Sequence, residues 1–225
     1  MKTLLVRVCA VVVVVLACQS ALALAQETKN SAEAATPAPA AEAAEKAWSF
    51  DASVYTYFVP DSHDIVSPVV MADHGWLHLE ARYNYENFRT GSIWFGYNFS
   101  TGEKVVLDFT AMIGGVLGDT AGIAPGYRLS LAWWKLELTS ESEYVIDSRD
   151  SSESFFYNWS ELAVSPADWF RAGVVIQRTR LYGEDRDVQR GFLVGFSWKK
   201  AYATGYLFNP DLSKPTFVLA LGLGF

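Results

Sequence analysis

Beyond residue 25 the chain has no cysteine, since Cys9 and Cys18 both lie in the first 25 residues. A chain cut after Ala25 therefore carries no thiol, which excludes a disulfide framework and a thiolate metal site. Long apolar runs are also missing past that point, and spanning a bilayer as a helix takes about 20 apolar residues. Histidine is scarce: His63, His74 and His78 are the whole supply, with no His-x-x-x-His pair and no G-x-S-x-G. No catalytic, cofactor-binding or metal-ligating residue is assigned on that basis. Basic residues number 18 against 25 acidic ones, for a net charge of −7. Binding to nucleic acid needs a basic face that neutralises phosphate, so that class of partner is excluded.

What is present begins with an export pattern. Lys2 and Arg7 precede an apolar run from Val8 to Leu16, and Ala23-Leu24-Ala25 stands before Gln26. A charged start, an apolar middle and an A-x-A ending predict a cleaved signal peptide over residues 1–25. Val15-Leu16-Ala17-Cys18 loosely resembles a lipobox, which would lipidate Cys18 instead. Losing Lys2 and Arg7 leaves 16 basic residues against the same 25 acidic ones. Residues 26–46 are mostly Ala, Pro, Glu, Thr and Ser, without a bulky apolar side chain. Such a stretch buries too little surface to offset its ordering entropy and reads as a disordered periplasmic tether. Residues 47–225 then form one domain.

That domain is written in a period of two. Leu77, Leu79, Ala81, Tyr83 and Tyr85 alternate with His78, Glu80, Arg82, Asn84 and Glu86, a pattern that a 3.6-residue helix would scramble. Similar segments run over about 48–58, 91–99, 104–113, 127–138, 154–164, 169–181, 187–198, 202–208 and 214–225, ten in all. Slips in alternation near Trp133-Trp134 and Glu161-Leu162 read as β-bulges. The link 114–127 is the weakest part, and an eight-strand count is the alternative. The expected outer loops are 59–75, 100–103, 140–153, 182–186 and 209–213, with Trp76 near the outer rim and Trp48, Trp169 and Trp198 near the inner one.

The last segment sets the architecture. Phe217, Leu219, Leu221, Leu223 and Phe225 share one face, while Thr216, Val218, Ala220, Gly222 and Gly224 share the other. A bulky apolar face against a nearly bare one suits a closed barrel with lipid outside. Ending on Phe225 with alternating Leu221 and Leu223, the strand resembles the C-terminal targeting strand of Gram-negative outer-membrane β-barrels. The resemblance implies an all-β, closed antiparallel transmembrane barrel in the outer membrane. Its implied partners are the barrel-assembly machinery, periplasmic chaperones, outer-membrane lipids and lipopolysaccharide.

The ten-strand register sends Asp51, Glu80, Arg82, Asp108, Arg128 and Arg171 into the lumen, with His78, Asn84 and Gln177. Opposite charges in a narrow interior must pair, so these form a charge network. Arg178 and Arg180 fall on the apolar face near the outer end and suit lipopolysaccharide phosphates. The expectation is a monomeric barrel with a filled lumen and a structural, adhesive or surface-binding role. Its alternatives are a narrow pore for small solutes or ions and a lipid-modifying enzyme, a lipid A acyl hydrolase or transferase. The enzyme reading looks to Asp61-Ser62-His63-Asp64 and Asp73-His74 in the first outer loop.

Overall fold

The computed structural model describes residues 47–181 and 187–225, and the side chains of Arg180, Leu181 and Asp187 are also outside that description. The expected signal peptide and tether therefore lie outside the described residues. The described part, within the unit Ala47–Phe225, is a closed antiparallel barrel. Its strands are β1 (Ser49–Phe58), β2 (Ile65–His74), β3 (Leu77–Tyr83), β4 (Thr90–Thr101), β5 (Val105–Gly118) and β6 (Gly122–Trp133). They continue as β7 (Leu136–Asp147), β8 (Phe155–Ala167), β9 (Phe170–Leu181), β10 (Asp187–Trp198), β11 (Ala201–Phe208) and β12 (Thr216–Gly224).

Each strand pairs with its neighbours in sequence, and β1 closes on β12 from Asp51↔Gly224 to Phe58↔Phe217. Beyond the ladder, Phe50 and Phe225 exchange two backbone hydrogen bonds, of 2.7 and 2.8 Å. Closure removes both sheet edges, so no row of backbone donors is left unpaired. Because the number of strands is even, the start of β1 and the end of β12 lie at one rim, here called the near end.

Twelve strands replace the expected ten, and two errors account for the difference. Residues 59–75 hold β2 rather than one long loop. Pro68 disguises it, yet the proline sits where it does least harm. The ladder to β3 begins only at Val69↔Arg82, so the missing N–H of Pro68 faces no β3 partner. There Ser67 Oγ donates to the Asn84 carbonyl at 2.6 Å and Asn84 Nδ2 donates to the Val66 carbonyl at 3.1 Å. The second error is the stretch 127–138, which is a hairpin. β6 and β7 turn at Trp134-Lys135, with Trp134 at a φ of 54°. That left-handed position is one where glycine or asparagine is usual.

The turn at 102–104 lies at the near end, not outside, and so does Trp76. Residues 140–147 belong to β7, so only 148–154 remain as a far-end loop. The link 114–127 is the ends of β5 and β6 around a short turn at 119–121. The irregularity in β8 falls between Val164 and Ala167, not at Glu161.

The sheet has a clear inside and outside. Ile93, Phe95, Ile113, Leu117, Val174, Ile176 and Phe192 are among the large apolar side chains exposed on the outer wall. Six of the eight tryptophans, Trp48, Trp76, Trp133, Trp134, Trp169 and Trp198, ring that wall at the near end, each 45% exposed or more. The remaining two, Trp94 and Trp159, are buried inside. Small lumenal positions serve as beds for large rings. A Cβ on Gly114 of β5 would stand 2.5 Å from the indole of Trp94, and Gly222 of β12 lies under the ring of Tyr202.

Candidate functional site

The lumen is the only feature of the described residues that gathers charge and space together. Alternation from β3 sends His78, Glu80 and Arg82 inward, each 3–4% exposed. β7 contributes Glu141 and Glu143, β6 Arg128, β8 Trp159 and Glu161, and β9 Arg171.

Arg82 is the hub. Its Nε and Nη2 donate to the two oxygens of Glu80 at 2.8 and 3.1 Å, a bidentate pair. Its Nη1 lies 2.9 Å from both Glu143 Oε2 and Glu141 Oε1. The guanidinium is sandwiched between the rings of Tyr85 and Trp94, 4.5 Å from each centroid. Arg128 adds weaker contacts to Glu80 and Glu141, at 3.5 and 3.4 Å. Glu86, from the loop after β3, accepts from Ser92 Oγ and from Trp94 Nε1 at 3.3 Å. Four carboxylates thus surround two guanidinium groups. Glu86 Oε2 and Glu143 Oε1 are buried without a hydrogen-bond partner.

A second cluster lies beside it. Arg171 pairs with Glu161, whose Oε1 also accepts from Trp159 Nε1 at 2.8 Å and from Tyr206 Oη at 2.9 Å. Nearer the rim, His78 Nδ1 meets Asp73 at 2.7 Å, and Tyr202 Oη donates to Asp51 at 2.9 Å.

Along its axis the lumen is divided. The near half holds a cavity of about 730 Å³ lined by Asp51, Asp73, His78, Asp108, Arg128, Glu161 and Arg171, with Tyr55, Trp159, Tyr202 and Tyr206 among its aromatic walls. The far half is packed. Val116, Val145, Phe208 and Val218 are 0% exposed and Leu193 is 1%, so solvent does not reach this layer. An eight-stranded barrel is just filled by side chains, whereas channels of about 16 strands are open. Twelve strands leave room for both a cavity and a plug.

All six charged residues expected in the lumen face it: Asp51, Glu80, Arg82, Asp108, Arg128 and Arg171. Glu80, Arg82 and Arg128 meet in one cluster, Arg171 lies in the other, and Asp51 and Asp108 stand apart near the rim. Sequence reasoning missed the acids that complete the network. Asp73 lies in β2, and Glu141 and Glu143 lie in β7, where the alternation pattern predicts outer loops. Their signal was the alternation Ser140-Glu141-Ser142-Glu143, a strand with serine outside and glutamate inside.

Asp73 and His74 face opposite ways, because they are adjacent in a strand. His74 stacks on Trp48 outside the near rim, with centroids 4.9 Å apart. Asp61 reaches Lys214 of the last far-end loop, and the neighbouring Ser62 and His63 are exposed. Arg178 lies on the outer wall with its Cζ 5.5 Å over the Phe156 ring, and Arg180 falls outside the described side chains. Leu221 and Leu223 face outward on β12, and Phe225 stacks on Phe50 at 5.8 Å.

Fold and lumen together define a β-barrel of the outer-membrane type. Among solved structures the chain is similar to the KdgM porin, with a TM-score of 0.54 and 8% identity over 79% of this chain and 99% of that one. It is similar also to the KdgM porin in complex with disordered oligogalacturonate, with a TM-score of 0.53 and 8% identity over the same shares. No protein-family model and no curated relative matches the chain.

Proposed function

We propose that the chain is an integral outer-membrane barrel forming a narrow pore for small solutes, its near end in the periplasm. The observation that carries this reading is the cavity of about 730 Å³ in the near half of the lumen, lined by charged side chains. Solvated carboxylates and their ion pairs contribute little to holding a barrel together, so a solvated, charged cavity suits a passage better than a purely structural lumen. The tryptophan ring at the near end supports a bilayer interface there, since aromatic girdles mark that level. Export by the cleaved signal peptide, delivery by periplasmic chaperones and assembly through Leu221, Leu223 and Phe225 belong to the same proposal, as does a monomeric state. Contact of Arg178 and Arg180 with lipopolysaccharide phosphates belongs to it too. The role is transport without catalysis and without a cofactor.

The far-half plug makes this a closed pore at rest. Passage requires the layer of Phe208, Val145 and Val116 to part, with the Arg82 cluster directly beneath. The neighbour solved with oligogalacturonate binds a polyanion. In this chain the acid-rich lumen favours solutes of the opposite sign.

Conductance of the refolded chain in a planar bilayer tests the proposal. Discrete steps of small amplitude, with a reversal potential displaced toward that of the cation in a salt gradient, are expected. Silence over a full voltage range, from protein that is heat-modifiable on a gel, would leave the second reading. That reading, favoured by the solvent-inaccessible far layer, is a structural or surface-binding barrel with no passage.

A further inference from the structure

We propose that the near-half cavity is a binding site for a flexible organic cation of the diamine or polyamine class. The inference deepens the pore reading by naming a substrate class, and it rests on that reading for its meaning in transport.

Five carboxylates line the cavity, those of Asp51, Asp73, Asp108, Glu141 and Glu161, against the guanidinium groups of Arg128 and Arg171. Arg171 is engaged by Glu161, and Arg128 is shared between Glu80 and Glu141. Asp73 is held by His78. Among the described residues Asp51 accepts from the Tyr202 hydroxyl alone, and Asp108, exposed near the rim, has no hydrogen bond or ion pair. Neither has a cation within salt-bridge distance among the described residues.

The floor carries an excess of the same sign. Arg82 ties the cavity-lining Glu141 to Glu143, and Glu143, 2% exposed, keeps Oε1 without a partner. Glu86 Oε2 is likewise buried and unpartnered. Arg171 Nε, on the cavity wall, is also buried without an acceptor, so at this depth two carboxylate oxygens stand against one guanidinium nitrogen, and a buried carboxylate oxygen without a donor is costly.

Shape then narrows the class. Between mouth and floor the wall is aromatic. Tyr55 meets Trp159 edge-on at 6.3 Å, and Trp159 meets Tyr206 edge-on at 5.0 Å. From Asp51 to Tyr55 along β1 is about 13 Å of wall at the usual strand rise. Ring faces accept alkyl chains and ammonium groups. An inorganic cation has no use for such a wall, and a polycarboxylate is repelled by both ends. A chain with an amine at each end and methylenes between them fits acid, ring and acid in that order.

The test is calorimetric titration of spermidine and putrescine into the refolded full chain in detergent, at matched ionic strength. Saturable binding is expected, weakened at least tenfold in Asp51→Asn/Asp108→Asn and unchanged in Asp150→Asn/Glu153→Gln, which removes acids from a far-end loop. Asp108→Asn alone, at an exposed site that folding tolerates, should weaken it several-fold. No saturable heat, or binding untouched by the cavity variants, overturns the site. Spermidine binding in a protein that never conducts upholds the site and overturns the pore, whereas conductance without amine binding does the reverse.

Discussion

Arg82 on β3 reaches Glu143 on β7, four strands away around the barrel wall, with Nη1 2.9 Å from Oε2. No ladder hydrogen bond joins these strands, so the contact crosses the lumen as a strut. It holds the constriction at the level where the solvated cavity gives way to the packed layer. The same guanidinium holds Glu80 and Glu141, which makes one side chain the common counter-charge for several acids.

Arg82→Met should therefore destabilise the barrel strongly, by about 3–5 kcal/mol, because it strands buried carboxylates without their partner. Glu143→Gln should cost less than about 1.5 kcal/mol, since it keeps an acceptor for Arg82 while removing one charge from an acid excess. Urea midpoints of the heat-modifiable band on gels measure both. Equal losses would show that charge balance is not what the cluster provides.

Trp94 lies over Gly114, and a Cβ on Gly126 would stand 3.2 Å from the same indole. Gly114→Val should displace that ring, break its contacts with Arg82, Ser92 and Glu86, and cost about 1–3 kcal/mol by overpacking. The neighbouring Gly115→Val should be nearly neutral, because a Cβ there meets nothing within 4 Å. Thermal mobility shift of the two variants side by side gives the comparison.

At the far rim Arg190 Nη2 donates to Asp211 at 2.8 Å, and this bond holds the Asp211 carboxyl below its ordinary range. A depressed value means that the pair's contribution is present above the range of an unfolded aspartate and fades as pH falls through the folded value. Carbon NMR titration of labelled Asp211 should show a midpoint below that of a free aspartate. Arg190→Gln should return it toward normal. An unchanged midpoint would mean that the loop is not tied to β10 in solution.

Much of this architecture was legible from alternation alone. β9, β10 and β12 keep small residues largely to the inner face, and the turns around them use Pro, Asp, Lys and Asn, so those strands read directly. β2 escaped because Pro68 and the polar ending Asp73-His74 break the pattern, and the reason a proline is tolerated there is a missing β3 partner that no local signal announces. β6 and β7 fused because Trp134 occupies a left-handed turn position without turn chemistry. Of the six charged residues expected inside, five come from clean strands, and Arg128 comes from the first half of the fused segment. Glu141, Glu143 and Asp73 were lost with the strands that carry them, and so the acid excess of the lumen was not visible. The plug was equally hidden, because which lumenal rings meet across a barrel depends on strand number and register, not on any one strand.

The membrane reading makes a demand that a soluble barrel would not meet. Val174 sits at the middle of β9 between Leu162 and Phe192, exposed on the outer wall. In lipid it faces hydrocarbon, so Val174→Arg should cost about 2–4 kcal/mol, while Trp198→Arg at the near rim should cost about 0–1 kcal/mol from the charge itself. In water the order reverses, since an arginine on an exposed wall is harmless and the lost indole contacts are not. Folding free energies of the two variants in vesicles, from reversible denaturant titration, distinguish the cases. A larger penalty at Val174 than at Trp198 places β9 across a bilayer, and the opposite order would sink the outer-membrane reading together with the pore built on it.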